Sequence, residues 1–150
     1  MDISIAKITR IYRNCPYSSV AKNYWIFVIK NTDEEFKRRM DRKVWPIYSY
    51  TVNRKKIQPG DGVAFYKAGE GNKVLLGTAE TASAIKGKEG NIDYTVDLSN
   101  TVVWKKWVLM KPLVGKLDFI DNKDQWGRYM QGGVIRIGEK DYRKISAKSK

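Results

Sequence analysis

Histidine is absent from this sequence, which removes the residue most often used as a general base, a triad member or a metal ligand. Two pairs of carboxylates stand close together, Glu34 with Glu35 and Glu139 with Asp141. Each pair falls in the first turn of a predicted helix, where the helix dipole favours negative charge, so we assign both to capping. The glycine-rich stretch 68–72, AGEGN, lacks the GK[ST] ending of a phosphate-binding loop and is predicted to be a turn between strands. The side chains therefore indicate no catalytic, cofactor or metal site.

Aromatic side chains are the remaining candidates for ligand binding, because five Trp and nine Tyr help to raise the aromatic content to 12%. Trp45 follows Arg42 and Lys43, and Trp126 lies in the polar segment FIDNKDQWGRYM. An aromatic ring beside basic residues is either a platform for a stacked base or part of the core. These residues by themselves leave both interpretations open.

The charge of the chain favours a polyanionic partner. Lys and Arg outnumber Asp and Glu by 29 to 16, which gives a net charge of +13. A nucleic acid is the simplest such partner, although an anionic membrane surface or solubility alone also accounts for basic charge. The single cysteine, Cys15, allows no intrachain disulfide, and no apolar run approaches the roughly 18 residues of a membrane span. We therefore expect a cytoplasmic protein without a membrane partner.

A central strand and a short helix are predicted to position Trp45. The run YWIFVIKN at 24–31 is β-branched and aromatic throughout, which is typical of a strand buried on both faces. Thr32 and Glu35 then form a capping-box pattern, and the helix that they open is predicted to end near Asp41. In the segment VWPI that follows, Pro46 disfavours helix and indicates an extended conformation for Trp45.

Short strands separated by turn residues account for the rest of the chain. Pro59 and Gly60 suit a type II turn that leads into GVAFYK, and a second strand of this hairpin is predicted in KVLLGTAETASA. Further strands are predicted at NIDYTVDL, TVVWKKWVLM and VIRI, and a closing helix runs from Glu139 to Ile145. About six strands with two or three helices predict an α+β fold, in which a small, partly closed β-barrel is flanked by helices.

The order of these landmarks resembles the EVE domain, particularly its short archaeal-type members. YW in the first strand is followed by VW, by Asn53 eight residues after Trp45, and by the PGD turn. The second half then presents YTVDL, KPL, FIDNKDQW and GEKDY in the family's order, and FVIKN is similar to a strand of the related YTH domains. The resemblance covers residues 23–146; it leaves 1–22 as an N-terminal extension and 147–150 as a basic tail.

This resemblance implies a PUA-like fold and a non-enzymatic module that binds nucleic acid, either RNA or modified DNA. It implies a pocket for a single base, often a modified one, between the first strand and the segment of Trp45. Transferred by position, the expected pocket residues are Lys30, Asn31, Trp45, Asn53 and Trp126. The stretch VWPIYSYTVN differs from the GVRNYQARN-like stretch of bacterial members, so the base contacts made by that stretch are not transferred.

Basic residues flank the predicted pocket in sequence and are expected to contact the phosphates on either side of the bound base. These residues are Arg42, Lys43, Arg54, Lys55 and Lys56. A second hypothesis is a general RNA-binding or ribosome-associated PUA-like protein without selectivity for a modified base. A third is an enzyme that works without histidine, such as a nuclease or transferase. No cofactor and no metal are expected, and the sequence gives no oligomeric state.

Overall fold

The computed structural model describes residues 23–30, 32–48, 51–69, 73–87 and 94–149, so the predicted extension at 1–22 lies outside the described residues. Within these ranges the strands are β1 (Tyr24–Ile29), β2 (Val44–Ile47), β3 (Gly62–Lys67), β4 (Val74–Thr81), β5 (Lys86–Gly87), β6 (Tyr94–Leu109) and β7 (Val134–Ile137). The α-helices of the same ranges are α1 (Asp33–Arg42), α2 (Lys111–Val114) and α3 (Glu139–Ser146). Short 3-10 segments are Arg54–Lys56, Lys123–Met130 and Ala147–Ser149.

The strands form one curled mixed sheet in the order β2-β6-β4-β3-β1-β7, with the short β5 paired to β6. Strand β1 is an interior strand, which runs parallel to β3 on one side and antiparallel to β7 on the other. The two end strands, β2 and β7, do not pair with each other in the described part of the chain. The sheet is therefore a half-barrel with an open seam between β2 and β7. The predicted α+β fold with a partly closed barrel of about six strands is confirmed.

Helix α1 forms where its capping residues predict it. The Oγ1 of Thr32 accepts a hydrogen bond from the backbone N–H of Glu35 at 3.1 Å, which satisfies one of the free donors of the first turn. The helix ends at Arg42, one residue beyond the predicted end, and Lys43 takes the left-handed conformation with φ 59°. Phe36 and Met40 are buried on its inner face. The predicted cap at Thr32 is confirmed, whereas the Glu35 carboxylate pairs with Arg38 and Arg39. The Asp141 carboxylate, also assigned to capping, accepts hydrogen bonds from the N–H groups of Asp118 and Phe119 instead.

The PGD turn is held by a buried carboxylate. Gly60 has φ +89°, as a type II turn requires, and Asp61 is 2% exposed. The carboxylate of Asp61 accepts hydrogen bonds from Trp25 Nε1 at 2.8 Å, from the Gln58 N–H at 2.8 Å and from the Asn23 N–H at 3.1 Å. This part of the family pattern therefore joins the start of β1 to the turn before β3, which is a structural role.

One prediction for the strands is wrong, because NIDYTVDL and TVVWKKWVLM do not form separate strands. Tyr94–Leu109 is continuous as β6, although residues 88–93 lie outside the described ranges. The predicted break falls at Asn100, which adopts the left-handed region with φ 49°. Thr78 pairs with Val102, but Glu80 pairs with Ser99, so β6 carries one extra residue at this point. The asparagine forms a bulge within the strand instead of ending it.

The two faces of the sheet bury two hydrophobic clusters. Trp25, Phe27 and Ile29 of β1 pack inside the curled sheet with α1 and β2, whereas Ile26 belongs to the second cluster. That second cluster contains residues of α2, α3 and the segment Lys123–Met130. The alternation along β1 follows from the two-residue period of a strand, and it explains why this strand is apolar throughout.

Candidate functional site

A cavity of about 830 Å³ opens at the seam of the half-barrel. Its walls come from the end of β1, from β2 with the residues that follow it, and from β7 with the glycine pair Gly132–Gly133. The hydrogen bond from the Val28 N–H to the Gly133 carbonyl, at 3.0 Å, continues the pairing of β1 and β7 up to this wall. Cavities of about 300–1,000 Å³ are typical of sites for small ligands, so the volume is sufficient for a heterocyclic base with part of its attached sugar and phosphate.

The cavity is positively charged. Lys30, Arg39 and Arg136 line it, and no carboxylate does so among the described residues. Arg136 is oriented by a hydrogen bond of 2.9 Å from its Nη2 to Asn23 Oδ1. Asn53 and Gln131 add amide groups to a lining that is otherwise largely aliphatic and aromatic. This composition favours a ligand that has an apolar face and that carries a negative charge, either itself or on a group attached to it.

Three of the five predicted pocket residues meet at this cavity. Lys30, at the end of β1, is exposed; Trp45 lies on β2; and Asn53, with φ 72°, precedes the segment Arg54–Lys56. Asn31 lies outside the described residues, and its role stays a prediction. Helix α1 connects β1 to β2, and in the fold residues from both strands line the same cavity.

Trp126, the fifth predicted pocket residue, does not line the cavity. Its ring packs against the second hydrophobic cluster, and Lys73 Nζ lies 5.8 Å from the ring centroid. Tyr129, three residues later, lines the cavity instead, and its hydroxyl accepts a hydrogen bond from the Asn122 N–H at 3.1 Å. The difference arises because both residues stand on the 3-10 segment Lys123–Met130, whose register the sequence pattern does not reveal.

Trp45 is both a core residue and a cavity residue. It is only 2% exposed, and its ring centroid lies 4.6 Å from that of Phe65, 6.0 Å from that of Phe27 and 6.2 Å from that of Phe36. Of the two interpretations that the sequence leaves open, the structure supports burial, although Trp45 is also among the residues that line the cavity.

Arg39 covers Trp45 at the cavity wall. The guanidinium carbon lies 4.8 Å from the centroid of the Trp45 ring, which is a cation–π contact. Arg39 Nε also donates a hydrogen bond of 2.7 Å to Glu35 Oε2, one helical turn earlier. The hydrogen bond from Arg39 is the main cause that lowers the pKa of Glu35, against a smaller opposing effect of burial and with further help from Arg38. Glu35 therefore stays ionised and holds the guanidinium in place.

The five predicted phosphate contacts lie outside the cavity lining. Arg42, Lys43, Lys55 and Lys56 are exposed. Arg54 differs, because its Nη1 donates a 2.8 Å hydrogen bond to the Thr51 carbonyl, and its guanidinium carbon lies 6.0 Å from the Tyr94 ring centroid. Contact of these residues with phosphates stays a prediction, and Arg54 has a structural role in addition.

Sequence reasoning missed most of the cavity wall, including Arg39, Tyr129, Gln131 and Arg136. Arg39 has the ordinary i, i+4 partner of a solvated helix face, and Arg136 alternates along β7 as any exposed strand residue does. The pair Gly132–Gly133 next to a predicted strand was the only local signal, since glycines often mark places where a ligand approaches the backbone.

Comparison with known proteins assigns the fold to a family. A model of the EVE domain matches residues 23–148. The chain belongs to the EVE domain family. A UPF0310 protein from Pyrococcus abyssi is 28% identical over 141 residues, which cover 83% of this chain and 98% of that protein. A UPF0310 protein from Mesorhizobium japonicum is 25% identical over 137 residues, which cover 82% of this chain and 89% of that protein.

Solved structures share the PUA-like fold at low identity. Human THYN1, in a complex with DNA containing 5-methylcytosine, superposes with a TM-score of 0.62 at 8% identity, covering 86% of this chain and 98% of that one. The YTH domain of Zygosaccharomyces rouxii MRB1, in a complex with N6-methyladenosine RNA, gives 0.56 at 17% identity, with 85% and 87% covered. Across the described residues, no helix has the length and apolarity to cross a bilayer.

Proposed function

We propose that this EVE domain is a non-enzymatic nucleic-acid-binding module that accepts a single extruded, modified base in the cavity at the barrel seam. The observation that carries the proposal is the cavity itself, which has an aromatic and aliphatic wall, three cations and no carboxylate among its described lining residues. The proposed base pocket includes Lys30, Trp45 and Asn53. Phosphates on either side of the extruded base would contact Arg42, Lys43, Lys55 and Lys56.

Both kinds of ligand seen in the structural neighbours support a modified base. THYN1 was solved with DNA containing 5-methylcytosine and the YTH domain with N6-methyladenosine RNA, and both share the fold of this chain. A buried methyl group contributes on the order of 1 kcal/mol through the apolar surface that it removes from water. The aliphatic wall formed by Val28, Val52 and Ile135 offers such surface, since Val52 is 74% exposed and the other two are half-buried.

A second candidate function, general RNA binding without base selectivity, is favoured by one observation. The net charge of +13 is sufficient for salt-dependent binding to any phosphate backbone. In this alternative the cavity plays no part. The two functions therefore differ in whether a change inside the cavity alters binding.

A cavity-filling substitution tests this difference. A Cβ atom at Gly133 would stand 3.7 Å from Thr51, in ordinary contact, and Gly133 has no positive φ, so we expect Gly133→Leu to fold and to occupy cavity volume. Gly115→Leu is the matched control, because φ is −65° and nothing lies within 4 Å of its Cβ position. Fluorescence anisotropy would measure the binding of both variants to short single strands with and without 5-methylcytosine or N6-methyladenine.

The proposal predicts that Gly133→Leu weakens binding to the preferred modified strand by roughly ten-fold to a hundred-fold, the value of one stacked base. Gly115→Leu should bind like the wild type, and both should melt as cooperatively as the wild type. Unchanged binding of a folded Gly133→Leu variant, with no preference for any modified strand, would leave only the second candidate function.

A further inference from the structure

The guanidinium of Arg39 lies next to the ring of Trp45 in the cavity lining. Trp45 is 2% exposed, so its ring has little free area for a base. The guanidinium carbon of Arg39 lies 4.8 Å from the Trp45 ring centroid, and both residues line the cavity. The guanidinium is therefore a second planar surface in the lining, next to an indole that is almost completely buried.

Arg39 is held in this position by Glu35, to which it donates a hydrogen bond, and by the Trp45 ring, against which it packs. Its side chain is only 13% exposed, and Nε is 2.7 Å from Glu35 Oε2. The position of Glu35 is set in turn by the capped first turn of α1, where its N–H donates to Thr32 Oγ1. A guanidinium fixed in this way loses little conformational entropy when a ligand stacks on it.

The charges around this position have the same sign. Lys30 and Arg136 line the cavity together with Arg39, and Glu35, which partly neutralises Arg39, is absent from the cavity lining. A cationic ligand would therefore meet three positive groups and no carboxylate among the described lining residues. Neutral bases stack readily on guanidinium planes, whereas a like charge at close range is unfavourable.

We propose that the base bound by this pocket stacks on the guanidinium plane of Arg39, with Trp45 as the backing layer, and that the pocket consequently accepts neutral modified bases and rejects cationic ones. This inference rests on the proposed function and specifies its ligand class. Methylation at carbon 5 of cytosine or at N6 of adenine leaves the base neutral. Methylation at N3 of cytosine or at N1 of adenine gives a cation at neutral pH, with the same number of added methyl groups.

Oligonucleotides that differ only in the position of one methyl group test whether the pocket rejects a cationic base. Single strands that differ only in one central residue would carry cytosine, 5-methylcytosine or N3-methylcytosine, and a second set adenine, N6-methyladenine or N1-methyladenine. We expect the wild type to prefer one neutral methylated strand and to bind its cationic isomer about ten-fold more weakly than that strand, because of repulsion inside the cavity. Equal or tighter binding of the cationic isomer would overturn the inference.

Substitution of Arg39 tests whether the base stacks on its guanidinium plane. Arg39→Lys keeps the charge but removes the plane, so we expect it to lose most of the preference for the methylated strand while the salt dependence of binding stays as in the wild type. Arg38→Lys is the matched control: Arg38 also pairs with Glu35, but its side chain is 61% exposed and does not line the cavity. Thermal melting would confirm that both variants are folded.

The outcomes separate this inference from the proposed function. If Gly133→Leu abolishes the preference for a methylated strand while Arg39→Lys preserves it, the pocket binds the base but Arg39 is not the platform, and the inference alone fails. If no strand is preferred and Gly133→Leu binds like the wild type, the proposed function fails and the inference with it.

Discussion

At the scale of single residues, the tryptophans of this domain have roles that their sequence surroundings do not reveal. Trp25 donates its Nε1–H to the buried carboxylate of Asp61, and Trp107 donates its own to Asp33. Trp45 is buried under Arg39 and still borders the cavity. A tryptophan that follows basic residues in the sequence therefore need not be an exposed platform, and here its ring is in contact with the more distant Arg39.

Truncation of Trp45 is predicted to act first on stability. The ring packs against Phe27, Phe36 and Phe65, so Trp45→Ala should lower the free energy of unfolding by about 3–5 kcal/mol. Urea denaturation followed by circular dichroism would measure the loss, and Trp126→Ala, which changes a half-buried ring outside the cavity lining, is the comparison. A stability of Trp45→Ala close to that of the wild type would contradict the burial described above.

The buried carboxylate of Asp61 makes a second prediction. Its removal in Asp61→Ala leaves the N–H groups of Trp25, Gln58 and Asn23 without their acceptor. Of these donors only the Trp25 indole N–H is fully buried, and a buried donor left unsatisfied costs about 1–3 kcal/mol, so we expect a loss of about that size in urea denaturation. Asp124→Ala changes an exposed carboxylate and should be nearly neutral. A small effect at Asp61 would mean that water replaces the carboxylate.

At the scale of elements, the sequence predicts those features that are set by residues close together in the chain. The cap of α1 at Thr32 and the turn at Gly60 are local devices, and both form as predicted. The continuity of β6 through Asn100 was not predictable in this way, because an asparagine with positive φ ends some strands and forms a bulge in others. The cavity was harder still, since it depends on how far β2 and β7 remain apart in the fold.

Helix α1 is tied to the sheet by Asp33, which gives a prediction about pH. Hydrogen bonds from Lys67 Nζ, at 2.7 Å, and from Trp107 Nε1, at 3.2 Å, lower the pKa of the Asp33 carboxyl below its usual range. A lowered folded-state pKa stabilises the fold fully above about pH 4, and this contribution is lost as the pH falls through the lowered pKa.

Asp33→Asn should therefore destabilise the protein at pH 7 and flatten the decline of stability below about pH 4. The carboxyl is partly exposed, so solvent screening limits the effect to at most about 1 kcal/mol. Urea denaturation at a series of pH values would measure it, with Asp124→Asn as an exposed control. Parallel stability curves for wild type and Asp33→Asn would show that the ion pair contributes nothing.

At the scale of the whole molecule, the open half-barrel explains why the site lies where it does. Side chains usually fill the interior of a small closed barrel. In the described part of this chain β2 and β7 do not pair with each other, and the cavity lies at the seam between them. The excess of 13 positive charges creates a field that would attract a polyanion whatever its base sequence. Affinity and selectivity are thus expected from different parts of the molecule.

The role of Lys55 and Lys56 in phosphate binding is tested by salt dependence. The double variant Lys55→Ala, Lys56→Ala should reduce the slope of log affinity against log salt by about 0.7 for each single-strand phosphate that is no longer neutralised. Arg54 is left unchanged because it holds the Thr51 carbonyl. Lys105→Ala with Lys106→Ala removes the same charge from an exposed stretch of β6 and is the matched control. Equal slopes in the two double variants would show that Lys55 and Lys56 have no special role.

We expect the pocket, and not charge alone, to discriminate between modified and unmodified bases. The most direct test of this expectation is the ratio of the dissociation constants for an unmodified and a methylated strand, measured with the wild type at several salt concentrations. One methyl group buried against the aliphatic wall contributes on the order of 1 kcal/mol, so we predict a ratio of about five that stays constant while both affinities fall with salt. A ratio of one at every salt concentration, for both methylated cytosine and methylated adenine, would mean that charge alone determines binding.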